Sequence, residues 1–167
     1  MDGKVYVVGN FKGGVGKTKA VTMLAYEAAT QFKDRTLVID LDPQGNATRV
    51  LAKTGNIDNI DKSITDGFRV GNLENEVISI MPKLDLIPAN TSFRNLTKVL
   101  FEKFPEDEIS QISYLKELIK PLKGKYDRIY IDVPPTISDY SDNAMMAADY
   151  CIIVLQTQEL SLDGAQT

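Results

Sequence analysis

The chain has 167 residues, with 19 Lys and Arg against 23 Asp and Glu, a formal net charge of −4 and no histidine. The missing imidazole excludes Ser-His-Asp and Cys-His nucleophilic catalysis and histidine-ligated metals. The single Cys151 closes no intrachain disulfide and builds no cysteine-rich metal site, which fits a reducing cytoplasm.

A composition of 43% hydrophobic and 25% charged residues is that of one soluble globular domain. A chain of this size buries roughly 70% of its unfolded surface and needs no covalent staples. Val5–Gly9 is the first apolar run, read as a strand and far too short for a signal-peptide core. Lys17 to Phe32 follows with Val21, Leu24, Ala25, Ala28 and Phe32 at helical spacing. Thr36–Leu41 is a second strand. From Thr54 to Lys83 the pattern loosens into expected loops and short helices, and Leu84–Ile87 is a weaker strand. Phe93, Leu96, Val99 and Leu100 form a second helical stripe. Ile109, Ile112, Leu115, Leu118, Ile119 and Leu122 form a third, closed by Pro121. Arg128–Val133 is a strand, Asp139–Ala148 a further helix, and Tyr150–Leu155 a last strand in which Cys151 is expected to be a buried small hydrophobe. No run approaches the roughly 20 apolar residues of a membrane helix.

The strands are rich in Val and Ile and do not alternate with polar residues, as expected of strands covered on both faces. Alternating with helices, they predict an α/β fold, doubly wound around a mainly parallel sheet. Ligands of such sheets bind beyond the carboxyl ends of the strands. Residues 1–167 read as a single domain. Leu160–Thr167 reads as the start of a helix with no following element, so the chain is expected to be the N-terminal part of something longer.

Three segments carry chemistry. Lys12-Gly13-Gly14-Val15-Gly16-Lys17-Thr18 follows a strand and opens a helix. Glycines let backbone N–H groups fold around an anion, and the helix start adds partial positive charge. Lys17 suits phosphate oxygens and the Thr18 hydroxyl suits magnesium. The bland alternatives are a glycine turn and, for Lys12, a solvated loop lysine. Asp40-Leu41-Asp42-Pro43-Gln44-Gly45-Asn46-Ala47-Thr48 lies at the end of the second strand, with Asp42 where the strand stops. One of its carboxylates would hold a metal-bound water while the other orients the attacking water. Aspartate followed by proline is also ordinary helix-start punctuation. The strand Arg128–Val133 carries Asp132 at its end, a Walker B arrangement suited to magnesium opposite Thr18. Lys116, Lys120, Lys123, Lys125 and Arg128 form a local basic cluster, read as a solvated face.

The usual phosphate loop wants glycine at position 11, where this chain has Phe11, and Lys12 precedes the glycines. This deviant loop resembles that of the ParA/MinD family of ATPases. The stretch from Asp40 to Thr48, Leu86-Ile87-Pro88-Ala89-Asn90 and Gln156 to Gly164 are similar to the ParA/Soj partition branch. The resemblance covers nearly the whole chain and matches the N-terminal part of a typical member.

The resemblance implies an ATP- and magnesium-dependent ATPase that segregates a plasmid or chromosome. Lys12 would reach across a homodimer interface to the partner's ATP, and Gly13, Gly14, Val15, Gly16, Lys17 and Thr18 would cradle the phosphates. Lys19, where the family commonly has threonine, would add a cation. Asp42 would position the water, and Thr18, Asp40 and Asp132 would serve the metal. Implied partners are non-specific DNA and a centromere-binding adaptor, in a nucleoid-associated cytoplasmic protein with no membrane contact. The competing readings are a MinD-like membrane-cycling ATPase and a truncated, non-catalytic nucleotide-binding module.

Overall fold

The computed structural model describes residues 2–10, 16–135 and 138–155. Its strands are β1 (Lys4–Asn10), β2 (Thr36–Asp40), β3 (Ile78–Met81), β4 (Leu84–Ile87), β5 (Arg128–Asp132) and β6 (Tyr150–Val154). Its helices are α1 (Lys17–Thr30), α2 (Asn46–Thr54), α3 (Ile64–Val70), α4 (Leu96–Lys103), α5 (Glu108–Ile119) and α6 (Asp139–Ala147). The strands form one sheet in the order β3-β4-β2-β5-β1-β6, parallel throughout except for β3 against β4. This is the doubly wound, mainly parallel α/β architecture that the sequence predicts.

Alternation along the strands divides the core. Val5, Val7, Leu37, Ile39, Ile129 and Ile131 face the side packed by α3, α4, α5 and α6. Val8, Val38 and Tyr130 face α1 and α2. The central strand β2 is buried at every residue, which is why it reads as a continuous apolar run. The small Ala25, Ala28 and Ala29 let α1 lie close on the sheet. Tyr6 stacks between Tyr130 and Tyr150, with ring centroids 5.2 and 5.4 Å apart, and ties β5, β1 and β6 together on that same face.

Helix starts follow local chemistry. The Asp107 carboxylate accepts the Ser110 N–H at 3.0 Å and caps α5, and Ser63 caps α3. Buried Asn143 on α6 accepts the Leu115 N–H of α5 at 3.1 Å, so the two packed helices share a satisfied polar contact inside the core.

The structure corrects several expectations. The loosely patterned stretch before Lys83 contains β3, a four-residue edge strand too short to show its period. Helix α1 stops at Thr30, and Phe32 lies past its end, 60% exposed beneath the Arg128 guanidinium. Ile109 is also solvent-exposed, because it sits in the first turn of α5. Strand β6 is not covered on both faces: it pairs with β1 on one side and is the outer strand among the described residues, leaving Tyr150, Ile153 and Cys151 exposed. The expected helix start at Leu160–Thr167 lies outside the described residues.

Candidate functional site

The carboxyl ends of β1, β2 and β5 lie side by side, and the chemistry-bearing residues gather there. Lys12, Gly13, Gly14 and Val15 lie outside the described residues. Gly16 caps α1 with φ 114°, a backbone conformation that side-chain-bearing residues rarely adopt, and its carbonyl accepts the Ala20 N–H. That turn delivers Lys17 into the protein. Its side chain is 5% exposed, and its ammonium is ion-paired with Asp132 at the end of β5. The Thr18 hydroxyl donates to the other oxygen of the same carboxylate at 3.0 Å. Lys19 is exposed.

Asp132 is fully buried, and that burial pushes its carboxyl above the ordinary range while Lys17 and Thr18 pull it down. A hydroxyl and a carboxylate in direct contact are hard oxygen donors, and a lysine amine beside them complements phosphate charge. The donor set therefore fits a magnesium nucleotide. Among the described residues no three acidic, cysteine or histidine side chains cluster to hold a metal. A site of this class does not need such a cluster, because phosphate and water oxygens complete the shell.

Asp40 is the register partner of Asp132 across β2 and β5, so two buried carboxylates stand next to each other on the α1/α2 face. Burial and the neighbouring Asp132 push the Asp40 carboxyl up to about 7. Its oxygens are already engaged. One accepts the Asp42 N–H at 3.1 Å; the other accepts the Thr48 N–H at 2.9 Å and the Thr48 hydroxyl at 2.7 Å. The β2–β5 ladder ends one residue later, where the Leu41 N–H donates to the Asp132 carbonyl.

Asp42 is 5% exposed and closes a turn by accepting the Gln44 N–H at 2.9 Å. With Pro43, Arg94, Pro134, Pro135 and Tyr140 it lines a cavity of about 340 Å³. The loops after β2 and β5 thus face one shared space, as their positions in the sequence suggest. Thr48 is a contact that sequence reading missed as a site residue. It belongs to the quoted motif, but it lies eight positions along the chain from Asp40, and no pattern signals that the chain doubles back. Tyr140 and Arg94 carried no signal at all.

The basic cluster proves to be charge-balanced for the most part. Lys120 pairs with Glu117, Lys123 with Asp149, Lys125 with Glu74 and Arg128 with Asp34.

A family profile described as an AAA domain matches residues 3–167. The chain is similar to the chromosome partitioning protein ParA of Myxococcus xanthus, 34% identical over 164 residues that make up 97% of this chain and 55% of that protein. It is similar in structure to a putative plasmid partition protein of Borrelia burgdorferi bound to AMPPNP, with a TM-score of 0.80, 25% identity, and coverage of 99% of this chain and 68% of the other. A cobyrinic acid a,c-diamide synthase of Mycobacterium smegmatis with bound ATP analogue and magnesium also superimposes with a TM-score of 0.80, at 28% identity, covering 98% of this chain and 64% of that one. The chain spans about three fifths of the length of the curated relatives it matches. The deviant phosphate-loop sequence, the sheet order, the meeting of Lys17 and Thr18 with Asp132, and these matches agree: the chain belongs to the ParA/Soj/MinD family of P-loop ATPases.

Proposed function

We propose that the chain is the nucleotide-binding part of a partition ATPase, which binds ATP with magnesium, pairs with a second copy and hydrolyses ATP slowly unless stimulated. The observation that carries this reading is the contact of Lys17 and Thr18, at the start of α1, with Asp132 at the end of β5. Fold alone does not choose the reaction, since a diamide synthase shares the architecture. The partition branch is favoured by the ParA relative and by the residues from Asp40 to Thr48.

In this reading Lys17 exchanges its contact with Asp132 for phosphate oxygens, and Gly13, Gly14, Val15 and Gly16 offer N–H groups to them. Thr18 and Asp132 hold the magnesium, and Lys19 adds positive charge at the same helix start. Bound magnesium neutralises phosphate charge. Asp42 orients the attacking water. Asp40 supports the metal corner from its place beside Asp132, through the groups it holds. Lys12 serves the partner copy's nucleotide, stabilising charge on the transferring phosphoryl group as a cation supplied in trans. Non-specific DNA and a centromere-binding adaptor are the partners that accompany this role, in a cytoplasmic, nucleoid-associated protein. Among the described residues no helix is long and apolar enough to cross a membrane.

Sedimentation with ATP and magnesium tests the reading, using Asp42→Ala to slow hydrolysis beside the Asp42→Ala, Lys12→Ala double variant. The expected result is an ATP-dependent dimer in the first and a monomer in the second. A dimer that survives loss of Lys12 refutes the trans lysine; no ATP binding by the unsubstituted chain refutes the function.

A further inference from the structure

We infer that Thr48 is a positioning residue for hydrolysis: its hydroxyl braces the end of β2, the first turn of α2 and the end of β4, and through Asp40 fixes the backbone that carries Asp42. The inference rests on the ATPase reading above for its effect on turnover, and on hydrogen-bond geometry alone for the brace.

The sheet stops guiding the chain at Leu41, whose N–H makes the last ladder bond to Asp132. Asp42 therefore needs another anchor. Its N–H donates to one Asp40 oxygen, and the opposite oxygen of that carboxylate is held twice by Thr48, through N–H and hydroxyl. The same Thr48 hydroxyl accepts the Ala89 N–H at 3.0 Å. Ala89 lies just past β4, and the preceding Pro88 carbonyl accepts the Ile64 N–H at 2.8 Å, at the start of α3. One hydroxyl thus uses its donor on β2 and its acceptor capacity on the β4 exit. Asp40 is fully buried, and Thr48 and Ala89 are each 7% exposed, so water does not easily replace either bond.

Asp42 is separated from Asp40 by one residue and then enters the turn closed by the Gln44 N–H. Loosening Asp40 therefore acts on Asp42 directly through the Asp40–Asp42 bond, whereas Asp132 beside Asp40 keeps its own bonds to Lys17 and Thr18. Misplacing a water-orienting carboxylate by about 1 Å costs on the order of 100-fold in rate. Ground-state binding at the phosphate loop should be spared.

Thr48→Val keeps the shape and the backbone N–H bond to Asp40 and removes both hydroxyl bonds; Thr48→Ser keeps all three. The full chain is assayed for steady-state ATP turnover and, by NMR, for amide exchange at Ala89 and Asp42. For Thr48→Val, kcat is expected to fall about 10- to 100-fold with KM for ATP within about threefold, and the Ala89 and Asp42 amides to exchange at least about tenfold faster. Thr48→Ser is expected to stay within about threefold of the unsubstituted chain on every reading. A valine variant with unchanged kcat, or with KM raised and kcat intact, overturns the inference. So does a serine variant that loses about tenfold in turnover, and this arm decides the matter if the valine variant fails to fold. Absence of turnover in the unsubstituted chain counts against the ATPase reading instead, while the exchange comparison reads the brace independently.

Discussion

Asp132→Asn and Lys17→Met should both destabilise the protein, and the loss in Lys17→Met should grow with pH. The two side chains form an ion pair with exposures of 5% for Lys17 and 0% for Asp132. Removing one partner of a buried pair costs about 3–5 kcal/mol, because the other charge is left uncompensated. In Asp132→Asn the stranded group is an ammonium. In Lys17→Met the stranded group is a carboxyl that burial already pushes up, now without the cation that pulled it down. The folded state holds the proton more tightly than the unfolded one. Stability is fully present below the unfolded carboxyl value of about 3.9 and is lost as pH rises through the higher folded value. Urea unfolding at pH 5.5, 7.0 and 8.5, with each variant referred to the unsubstituted chain at the same pH, reads both losses and the slope in Lys17→Met. Lys17→Met should decline between the first pH and the last. A rising slope in Lys17→Met, or losses below about 1 kcal/mol in both variants, would show that the pair is solvated and the burial argument mistaken.

Two further outcomes follow from the opposite end of the sheet. The Asp127 carboxyl, held to about 2 by hydrogen bonds from the Arg35 side chain and N–H, should move up toward the ordinary aspartate range once Arg35→Ala removes the guanidinium, while the residue-35 N–H still holds it below that range. Carbon-detected NMR follows it directly. The stabilisation this pair gives is present above the unfolded value and lost as pH falls through about 2, and solvent screening keeps it small. Gly3→Ala places a Cβ 2.0 Å from the Tyr126 carbonyl, and the Gly3 N–H is tied to Lys123 at 2.8 Å, so the strand entry cannot simply swing away. A loss of roughly 2 kcal/mol is expected in urea unfolding; an unchanged midpoint would mean that the N-terminal residues do not pack as described.

The readable features of this chain are those fixed by short-range pattern. The unbroken apolar runs Val5–Gly9 and Thr36–Leu41 mark strands packed on both faces: every residue of Thr36–Leu41 is buried, and in the first run Val5, Val7 and Val8 are buried while Tyr6 and Gly9 are half-buried. The alternation of those runs with helices sets the fold class, and the motifs at the ends of β1, β2 and β5 fall on the one edge where such sheets bind ligands. Other features were not readable, for reasons of distance. Burial of a strand depends on its place in the sheet order, so Tyr150–Val154 looks like β2 in composition and yet lies at the margin of the described sheet, with Cys151 exposed. Strand β3 has four residues, too few for its period to stand out from loop. The basic cluster near Lys120 looks like a charged face until partners distant in sequence, such as Asp34 and Glu74, are brought alongside. Asp40 shows the limit most sharply. The sequence places a carboxylate at the right strand end for chemistry, but which groups its oxygens meet depends on α2 folding back over β2 and β4 arriving beside it. Hydrogen bonds between residues 40, 48 and 89 arise from that packing, and no local propensity encodes them.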